Sequence, residues 1–462
     1  MSKKKILIAL PFGQSIRDVL RSDAYEELKS RDYIEIIVLS NASDRPEFQK
    51  EFGGPRIRFE VLSDYQPNRK ELLCQSLYLS TLAFKSNTIK LYADNDKRSS
   101  LRYTIPISNI ISKVIGRYNL QKLLGSILKA SNRERSYRDL FDTYKPDLVV
   151  VTRVLRSSPD YPVLKEAAHR KLPVMALVSS WDNFTTKGFF PFGIKKLVVW
   201  NKVMRDEACE LFGFPKKDIM MSGIPRFDNY FKRVGMCTKE EFFSRYGLDP
   251  KKKLVSYTTG NKTAVLSPGE DVSAEADIAL FLAKSIESNK LKGVQLLVRL
   301  HPLADANDFS ALKDMANVIV QVPGDTGIFR DRLFSKNDDM EIAETVCYSD
   351  LIINVASTMT IDAAVFDTPS ISVAFDIRGK LPFEHSVKRY YEYEHYRKLR
   401  TTGGVAMVQS PEELLERVAM YLADPSIGRK ERKRIIEQQC EYLDGMAGLR
   451  VGKYIHSYLD SL

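Results

Sequence analysis

Short apolar runs alternate with longer stretches of helical periodicity along the chain. In the first half, the apolar runs cover residues 5–10, 34–39, 57–62, 148–152, 174–179 and 197–200. In the second half, they cover residues 254–258, 295–300, 318–322, 351–354, 370–375 and 405–408. Helical stretches such as 15–30 and 159–170 lie between them. This alternation predicts an α/β fold with helices on both faces of a parallel sheet.

Because the alternation occurs in both halves, we predict two Rossmann-like domains. We place the boundary near Cys237, which gives an N-terminal acceptor domain over 1–236, a nucleotide-donor domain over 237–425 and C-terminal helices over 426–462. Ligands of open parallel sheets bind beyond the carboxyl ends of the strands. The expected active site is therefore a cleft between two facing domains, lined by the loops that follow strands.

The segment 97–138 is strongly basic. It holds ten Lys or Arg residues against the single acidic residue Glu134, so it contributes +9 to the net charge of +11. Its apolar residues recur every three or four positions, which predicts one or two amphipathic helices broken near Gly116. Such a segment suits an anionic membrane surface or an anionic lipid-linked acceptor. A solvated basic helix that packs its apolar face on its own domain fits equally well. We find no recognisable nucleic-acid module, so nucleic acid is not an expected partner.

The spacing of the cysteines and the first apolar run indicate the cellular compartment of the protein. The five cysteines are scattered and form no CxxC pair, a pattern typical of a reducing compartment. The first apolar run is short and stops at Pro11, so it predicts a strand rather than a signal peptide. No run of 18 apolar residues occurs, and hence no transmembrane helix is expected. We expect a cytoplasmic protein bound peripherally to the inner face of the membrane.

Two neighbouring strand ends in the second half carry phosphate-binding chemistry. One run ends in Arg299-x-His301-Pro302. Arginine suits a pyrophosphate oxygen, while His301 could polarise a leaving phosphate and is our second candidate catalytic residue. A strand-end histidine that hydrogen-bonds a backbone carbonyl is the alternative. The strand before it leads into a loop with Thr259 and Lys262, which could supply a third phosphate contact.

A third strand end opens directly into a helix. After residues 351–354 come the hydroxyls of Ser357, Thr358 and Thr360. Backbone N–H groups and the positive end of a helix dipole stabilise a diphosphate at such a position. Asp362 could accept hydrogen bonds from ribose hydroxyls. An ordinary Ser or Thr N-cap is the alternative explanation.

These motifs carry a family resemblance. Residues 254–424 resemble the donor domain of GT-B glycosyltransferases, in particular the CDP-glycerol glycerophosphotransferase-like and surface-polysaccharide transferases, with the non-hydrolysing UDP-N-acetylglucosamine 2-epimerases as relatives. The resemblance rests on Arg299-x-His301-Pro302, on 348–354 leading into Ala356-Ser357-Thr358, and on 362–364, 367–373, 375–376, 395–399, 403–405 and 410–414. It implies that Arg299, His301, Ser357 and Thr358 bind the donor diphosphate and that Asp362 binds the ribose. Where the epimerases have a Gly-Gly pair, this chain has Ser357-Thr358, which makes an epimerase the weaker hypothesis.

In the first half, the loop after the run 174–179 concentrates polar chemistry. Transfer with inversion needs a base near the acceptor hydroxyl, and a carboxylate in a partly apolar loop would serve. We predict Asp182 as this base, with a structural Asx-turn as the alternative. Trp181 could stack on a sugar face, and Lys187 is a further candidate acceptor contact. Gly13, after the first strand, permits close backbone approach to a ligand, although a simple strand–helix turn needs it equally.

The remaining candidates concern the donor sugar and metal ions. Asp376 and Glu384 follow another strand and could contact sugar hydroxyls. The pair Asp94 and Asp96 has the form of a metal-binding DxD motif, but no converging oxygen ligands accompany it. We therefore expect no metal and no cofactor, since a helix dipole and cations can stabilise the leaving diphosphate.

The sequence thus predicts a nucleotide-sugar-dependent, metal-independent glycosyltransferase or polyol-phosphate transferase. Its donor would be a nucleotide-activated sugar or polyol, and its acceptor a lipid-linked or surface polysaccharide. A nucleotide-sugar 2-epimerase and a catalytically inactive GT-B scaffold subunit are the alternatives.

Overall fold

The computed structural model describes residues 3–11, 13–82, 101–130, 136–155, 158–260, 273–323, 336–383 and 385–462. The chain forms two compact units. Unit 1 comprises Met1–Phe231 together with Cys440–Leu462, and unit 2 comprises Lys232–Gln439. The C-terminal stretch that we treated as separate helices over 426–462 is therefore divided between the two units.

Unit 1 contains a seven-stranded sheet in the order β3-β2-β1-β4-β5-β6-β7. All neighbouring strands are parallel. The strands are β1 Lys4–Leu10, β2 Ile34–Ser40, β3 Ile57–Val61, β4 Leu148–Val151, β5 Val174–Leu177, β6 Lys196–Val199 and β7 Ile219–Met221. The sequence predicted the first six. Strand β7 is only three residues long and each of them is partly exposed, so it lacks the apolar signal of a buried strand.

The helices of unit 1 lie between and after these strands in the sequence. They are α1 Gly13–Val19, α2 Asp23–Lys29, α3 Pro46–Phe52, α4 Arg69–Ser80, α5 Leu101–Ile115, α6 Arg117–Ala130, α7 Arg138–Tyr144, α8 Tyr161–His169, α9 Lys202–Phe212, α10 Phe227–Lys232 and α18 Ala447–Asp460. The stretch 15–30, predicted as one helix, is divided into α1 and α2. Ser22 starts the second helix, because its hydroxyl accepts the Ala24 N–H at 3.3 Å.

Helix α18 joins unit 1 by packing closely on α2. A methyl group in place of the Gly452 hydrogen would lie 2.7 Å from Glu27 Cβ, and one at Gly448 would lie 2.9 Å from the Asp23 nitrogen. The two glycines therefore allow the helix backbones to approach. Asp228 fixes the start of α18 by accepting the N–H groups of Ala447 and Gly448 at 3.0 and 2.8 Å.

Unit 2 contains a six-stranded sheet in the order β10-β9-β8-β11-β12-β13. Its strand pairs are all parallel. The strands are β8 Lys253–Thr258, β9 Val294–Arg299, β10 Val318–Gln321, β11 Leu351–Asn354, β12 Ser370–Val373 and β13 Ala406–Val408. The helices are α11 Lys239–Tyr246, α12 Ala274–Glu287, α13 Lys336–Tyr348, α14 Met359–Val365, α15 Glu394–Arg400, α16 Pro411–Ala423 and α17 Arg429–Gln439. Every strand predicted for the second half is present.

Candidate functional site

The ends of strands β8 and β9 bring three predicted donor-binding residues together. Thr258 and Arg299 are paired in the parallel register of these strands. The Thr259 N–H donates to the Arg299 carbonyl at 3.0 Å, and the Thr259 hydroxyl accepts the His301 N–H at 2.8 Å. Thr259 thus connects the loop after β8 to the loop after β9 by hydrogen bonds. Both loops lie at the carboxyl edge of the unit 2 sheet, where ligands of such sheets bind.

The side chains of His301 and Arg299 suit an anion at this edge. Nδ1 of His301 accepts the Leu303 N–H at 3.0 Å, so the proton of the neutral ring is on Nε2. The half-buried imidazole can therefore donate a hydrogen bond from Nε2. The Arg299 side chain is 6% exposed, and its Nη1 lies 3.7 Å from an oxygen of Glu341. A buried guanidinium held in this way is a strong donor for a phosphate oxygen.

The turn after β11 is built around Asn354. Its amide oxygen accepts the Ser357 N–H at 3.1 Å, and its amide nitrogen donates to the Thr360 hydroxyl at 3.2 Å. Between them, Ala356 has a left-handed backbone with φ of 43°, a conformation that is strained for a residue other than glycine. The Ala356 N–H donates to the Tyr391 hydroxyl at 3.2 Å. In the sequence, Asn354 resembles an ordinary end of a buried strand, so its role in the turn was not predicted.

The predicted residues of the α14 region occupy different environments. Ser357 and Thr358 are half-buried at the start of the helix, and the Ser357 hydroxyl accepts the Met359 N–H at 3.2 Å. Thr360 is fully buried and Asp362 is 5% exposed. The Thr360 hydroxyl thus supports the turn through Asn354. The donor-binding roles of these four residues stay predictions.

Three further candidates belong to unit 2. The Asp376 carboxylate accepts the Val387 N–H at 2.9 Å, which fixes the chain after β12. Lys262 and Glu384 lie outside the described residues, as do Asp94 and Asp96 of the DxD motif.

Glu275, in the first turn of α12, was missed by the sequence analysis. It is 1% exposed, and it accepts the Gly260 N–H at 2.6 Å, while the Tyr257 hydroxyl lies 3.5 Å from its other oxygen. Burial raises the pKa of Glu275 from 4.5 to about 8. In the sequence, an acidic residue after Ser273 resembles an ordinary member of a helix first turn, so no signal marked it.

Replacing Glu275 with glutamine is expected to raise stability near pH 8. The folded protein keeps the Glu275 proton up to about pH 8, whereas the pKa of an unburied glutamate is about 4.5. Between these values the folded state binds more protons, so the free energy of unfolding falls as pH rises. At about 1.4 kcal/mol per pH unit, the contribution is a few kcal/mol. Urea unfolding at several pH values between 5 and 8.5 measures it.

The matched control is Glu287→Gln, at the exposed end of the same helix. We expect Glu287→Gln to follow the wild type, and Glu275→Gln to lose part of the downward slope between pH 5 and 8. Parallel curves for Glu275→Gln and the wild type would contradict the assignment.

In unit 1, the loop after β5 surrounds Asp182 with polar partners. The Ser180 hydroxyl donates to one Asp182 oxygen at 2.6 Å, and Lys187 Nζ lies 3.0 Å from the other. The Asp182 side chain is 17% exposed. The surroundings of Asp182 are therefore more polar than the partly apolar loop that we expected. Trp181 is 5% exposed, which leaves little of its ring for stacking on a sugar.

The neighbouring loop after β4 contains Arg153, a charged residue near Asp182 that was not predicted from the sequence. Asp160 is fully buried and accepts the N–H groups of Thr152, Arg153 and Val154 at 2.8–3.2 Å. Val154 has φ of 47°, which is unusual for a β-branched residue. Burial lowers the pKa of Arg153, while the carboxylates of Asp160 and Asp182 raise it. A guanidinium is thus held within electrostatic range of Asp182. In the sequence, residues 152–154 resemble a continuation of the strand.

Two further observations concern the position of Gly13 and possible ligands for a metal ion. Gly13 is the first residue of α1 and is half-buried. Among the described residues, no three His, Cys, Asp or Glu side chains converge to hold a metal ion.

Comparison with known proteins gives a family and a fold. The family model described as CDP-glycerol:poly(glycerophosphate) glycerophosphotransferase matches residues 173–457, well over half of the chain. No curated protein sequence matches the chain.

Solved structures resemble the chain over nearly its whole length. UDP-GlcNAc 2-epimerase from Neisseria meningitidis, bound to UDP-GlcNAc, has a TM-score of 0.55 at 12% identity, covering 98% of this chain and all of that one. A glycosyltransferase from Rickettsia africae ESF-5 has a TM-score of 0.52 at 11% identity, covering 99% of each chain. The wall teichoic acid polymerase TagF, soaked with CDPG, has a TM-score of 0.51 at 13% identity, covering 99% of this chain and 90% of that one. These similarities confirm the predicted GT-B fold class.

Proposed function

Because the chain belongs to the CDP-glycerol:poly(glycerophosphate) glycerophosphotransferase family, we propose that it transfers a polyol-phosphate group from a nucleotide-diphosphate donor to a polymer acceptor. The observation that carries this proposal is the cluster of Thr259, Arg299 and His301 at the carboxyl edge of the unit 2 sheet. The cluster offers a guanidinium and an imidazole N–H to a diphosphate. The donor that fits the family is CDP-glycerol.

The proposed reaction takes place at phosphorus. An acceptor hydroxyl oxygen bonds to the β-phosphorus of the donor, and the bond from that phosphorus to the bridging oxygen breaks, so CMP leaves. Asp182 takes the proton of the attacking hydroxyl, and Arg299 and His301 stabilise the charge that develops on the leaving phosphate. Ser357 and Thr358 contribute donors to the same phosphates, and Asp362 contacts the ribose. None of these steps requires a metal ion.

The experiment that tests this function is a binding screen followed by a product assay. Thermal stabilisation is measured with CDP, UDP, GDP, CDP-glycerol and UDP-N-acetylglucosamine. A ligand at 100 times its Kd stabilises a protein by about 2.7 kcal/mol. We expect the cytidine compounds to stabilise most, and CDP-glycerol to release CMP when a glycerol-phosphate polymer is supplied. Stabilisation by UDP-N-acetylglucosamine with epimer formation would replace the proposal by an epimerase. No stabilisation by any compound would favour a scaffold.

A lipid-linked acceptor is the second part of the proposal, supported by helices α5 and α6. The outer side chains of these helices are apolar and exposed, at 48% for Ile107, 64% for Ile110, 79% for Val114, 53% for Leu123 and 49% for Ile127. No described helix is long and apolar enough to cross a membrane.

Among the side chains of α5 that the structure describes, the buried ones are polar. Thr104 and Ser108 are buried, and the Thr104 hydroxyl lies 3.0 Å from that of Ser80. For α5 this orientation is the reverse of a helix that packs its apolar face on its own domain. Helix α6, by contrast, buries Leu120, Leu124 and Leu128. Lys113, Arg117, Lys122 and Lys129 are basic residues of the same two helices. Exposed apolar side chains beside basic ones favour peripheral binding to an anionic membrane surface, on the cytoplasmic side.

Charge placed in the apolar face should release the protein from vesicles. We expect Ile110→Asp with Val114→Asp to reduce sedimentation with phosphatidylglycerol-containing vesicles about tenfold or more, since a carboxylate loses apolar insertion and is repelled by the anionic surface. Vesicles of phosphatidylcholine alone should bind the wild type weakly. The control is Val61→Asp, whose side chain is 49% exposed at the end of β3. Equal loss of binding in Val61→Asp, or no sedimentation of the wild type, would contradict the proposal.

A further inference from the structure

Glu275 connects helix α12 to the loop that carries part of the donor cluster. It lies in the first turn of α12, is 1% exposed, and accepts the Gly260 N–H at 2.6 Å. Gly260 directly follows Thr259, whose hydroxyl accepts the His301 N–H. One hydrogen bond thus joins a buried carboxyl group to the backbone that positions Thr259 beside Arg299 and His301.

The same carboxyl group belongs to a buried polar cluster at the strand ends of unit 2. The Tyr257 hydroxyl lies 3.5 Å from the second oxygen of Glu275, and both side chains are within electrostatic range of Tyr391. The Tyr391 hydroxyl accepts the Ala356 N–H at 3.2 Å and donates to the Val373 carbonyl at 2.6 Å. The cluster therefore contacts the backbone at or just beyond the ends of β8, β11 and β12.

The surroundings of Glu275 favour its neutral form. Burial raises its pKa to about 8, against the lowering effect of the hydrogen bonds from Gly260 and Tyr257. A neutral carboxyl group can accept the Gly260 N–H with one oxygen and donate from the other. The titratable or charged groups that face Glu275 are Tyr257 on β8, Tyr390 and Tyr391 in the stretch Val387–Glu392, and Asp376, Arg378 and His385, which line a small cavity together with Glu275. Arg378 pairs with Asp277.

We propose that Glu275 is a positioning residue of the donor site, whose neutral carboxyl group holds the loop of Thr259 and Gly260 for the donor diphosphate and whose ionisation weakens donor binding. A diphosphate is anionic, and a buried carboxylate one hydrogen bond from this loop would repel it with less screening than in water. Donor binding should in turn favour the protonated form of Glu275. This inference rests on the proposed function for the identity of the donor, but any diphosphate can probe it.

The test measures diphosphate affinity against pH. Calorimetry gives the Kd of CDP-glycerol and of inorganic pyrophosphate between pH 7 and pH 9.5 for the wild type and Glu275→Gln. Glutamine keeps an oxygen for the Gly260 N–H and offers an amide N–H in place of the carboxyl O–H, but it does not ionise. We expect equal affinities at pH 7, and at pH 9.5 a wild type that binds about threefold or more weakly than Glu275→Gln. Ionisation of the ligand affects both proteins equally, so it cancels in this ratio.

Two further variants separate positioning from a general effect of substitution. Glu275→Leu removes the acceptor of the Gly260 N–H, so it should weaken diphosphate binding about three- to tenfold at every pH. Glu287→Gln, at the exposed end of the same helix, should follow the wild type. The melting temperature of each variant is recorded, and Glu275→Gln alone decides the inference if Glu275→Leu does not fold.

Each outcome bears on either the inference or the proposed function. A constant ratio of wild-type to Glu275→Gln affinity between pH 7 and pH 9.5, or unchanged affinity in folded Glu275→Leu, would overturn the inference. If pyrophosphate gives the expected ratio while CDP-glycerol binds no variant, the role of Glu275 stands and the proposed function fails. If CDP-glycerol binds while the ratio stays constant, the proposed function stands and the inference fails. Binding of neither ligand at pH 7 would overturn both.

Discussion

Replacing Arg299 with alanine is expected to abolish most of the stabilisation that a nucleotide-diphosphate donor gives to the protein. The guanidinium is 6% exposed at the end of β9, and the adjacent loop is fixed by Thr259. A charge-assisted hydrogen bond contributes about 1.5–3 kcal/mol, so the loss of one such bond corresponds to a donor affinity that is roughly 10- to 150-fold weaker. The measurement is the Kd of CDP-glycerol by calorimetry, together with the ligand-induced shift in melting temperature.

Two comparisons make this result interpretable. Arg299→Lys keeps the charge but loses the planar fork that matches phosphate oxygens, so we expect intermediate affinity. Arg429→Ala removes an arginine that is 55% exposed and pairs with Asp367 in the same unit, and its donor affinity should equal that of the wild type. Because Arg299 also lies near Glu341, the melting temperature without ligand is measured for every variant. Unchanged donor affinity in folded Arg299→Ala would contradict the donor-site assignment.

The sequence predicted the architecture well because most central strands lie in largely apolar runs. Such runs are expected in parallel sheets with both faces covered. The predictions were wrong where a strand has few buried apolar residues, and where buried apolar residues continue from one helix into the next. Strand β7 is short and partly exposed, and the break between α1 and α2 is marked mainly by Ser22, since Leu20 and Ala24 on either side are both buried.

The donor cluster was also partly predictable, for a geometrical reason. Thr259 and the Arg299-x-His301 motif follow consecutive strands, and consecutive strands of a parallel sheet are usually neighbours. Asn354 and Glu275 act through hydrogen bonds to backbone groups, which no residue pattern displays.

Helix α5 shows a different limit of sequence reasoning. The spacing of its apolar residues predicts a helix with one apolar face, and that helix is present. Periodicity alone does not say whether the face points inward or outward. The orientation of α5 follows from its contact with a neighbouring helix, because Ser80 of α4 contacts Thr104 on the polar side of α5. The structure thus shows which described side chains of α5 are exposed, and a membrane surface as their partner stays a prediction.

Replacing Asp182 with asparagine is expected to stop transfer while leaving donor binding intact. Asparagine has nearly the same shape and can still accept the Ser180 hydroxyl, but it cannot take a proton at neutral pH. Loss of a general base typically reduces the rate about 10²- to 10⁴-fold. Asp182 is in unit 1 and Arg299 is in unit 2, so the two substitutions should affect different measurements. CMP release from CDP-glycerol, with a glycerol-phosphate polymer as acceptor, reports the rate, and calorimetry reports the donor Kd.

The ion pair of Asp182 supplies the control for this last prediction. Lys187 lies 3.0 Å from the carboxylate, so Asp182→Asn could act indirectly by releasing Lys187. Lys187→Met removes the ammonium but keeps the base, and we expect it to retain more activity than Asp182→Asn. Asp218→Asn, which breaks a comparable ion pair with Lys196 at 2.7 Å in the same unit, should be fully active. Equal loss of rate in Asp182→Asn and Lys187→Met would show that the ion pair, rather than the carboxylate as base, is what the reaction needs.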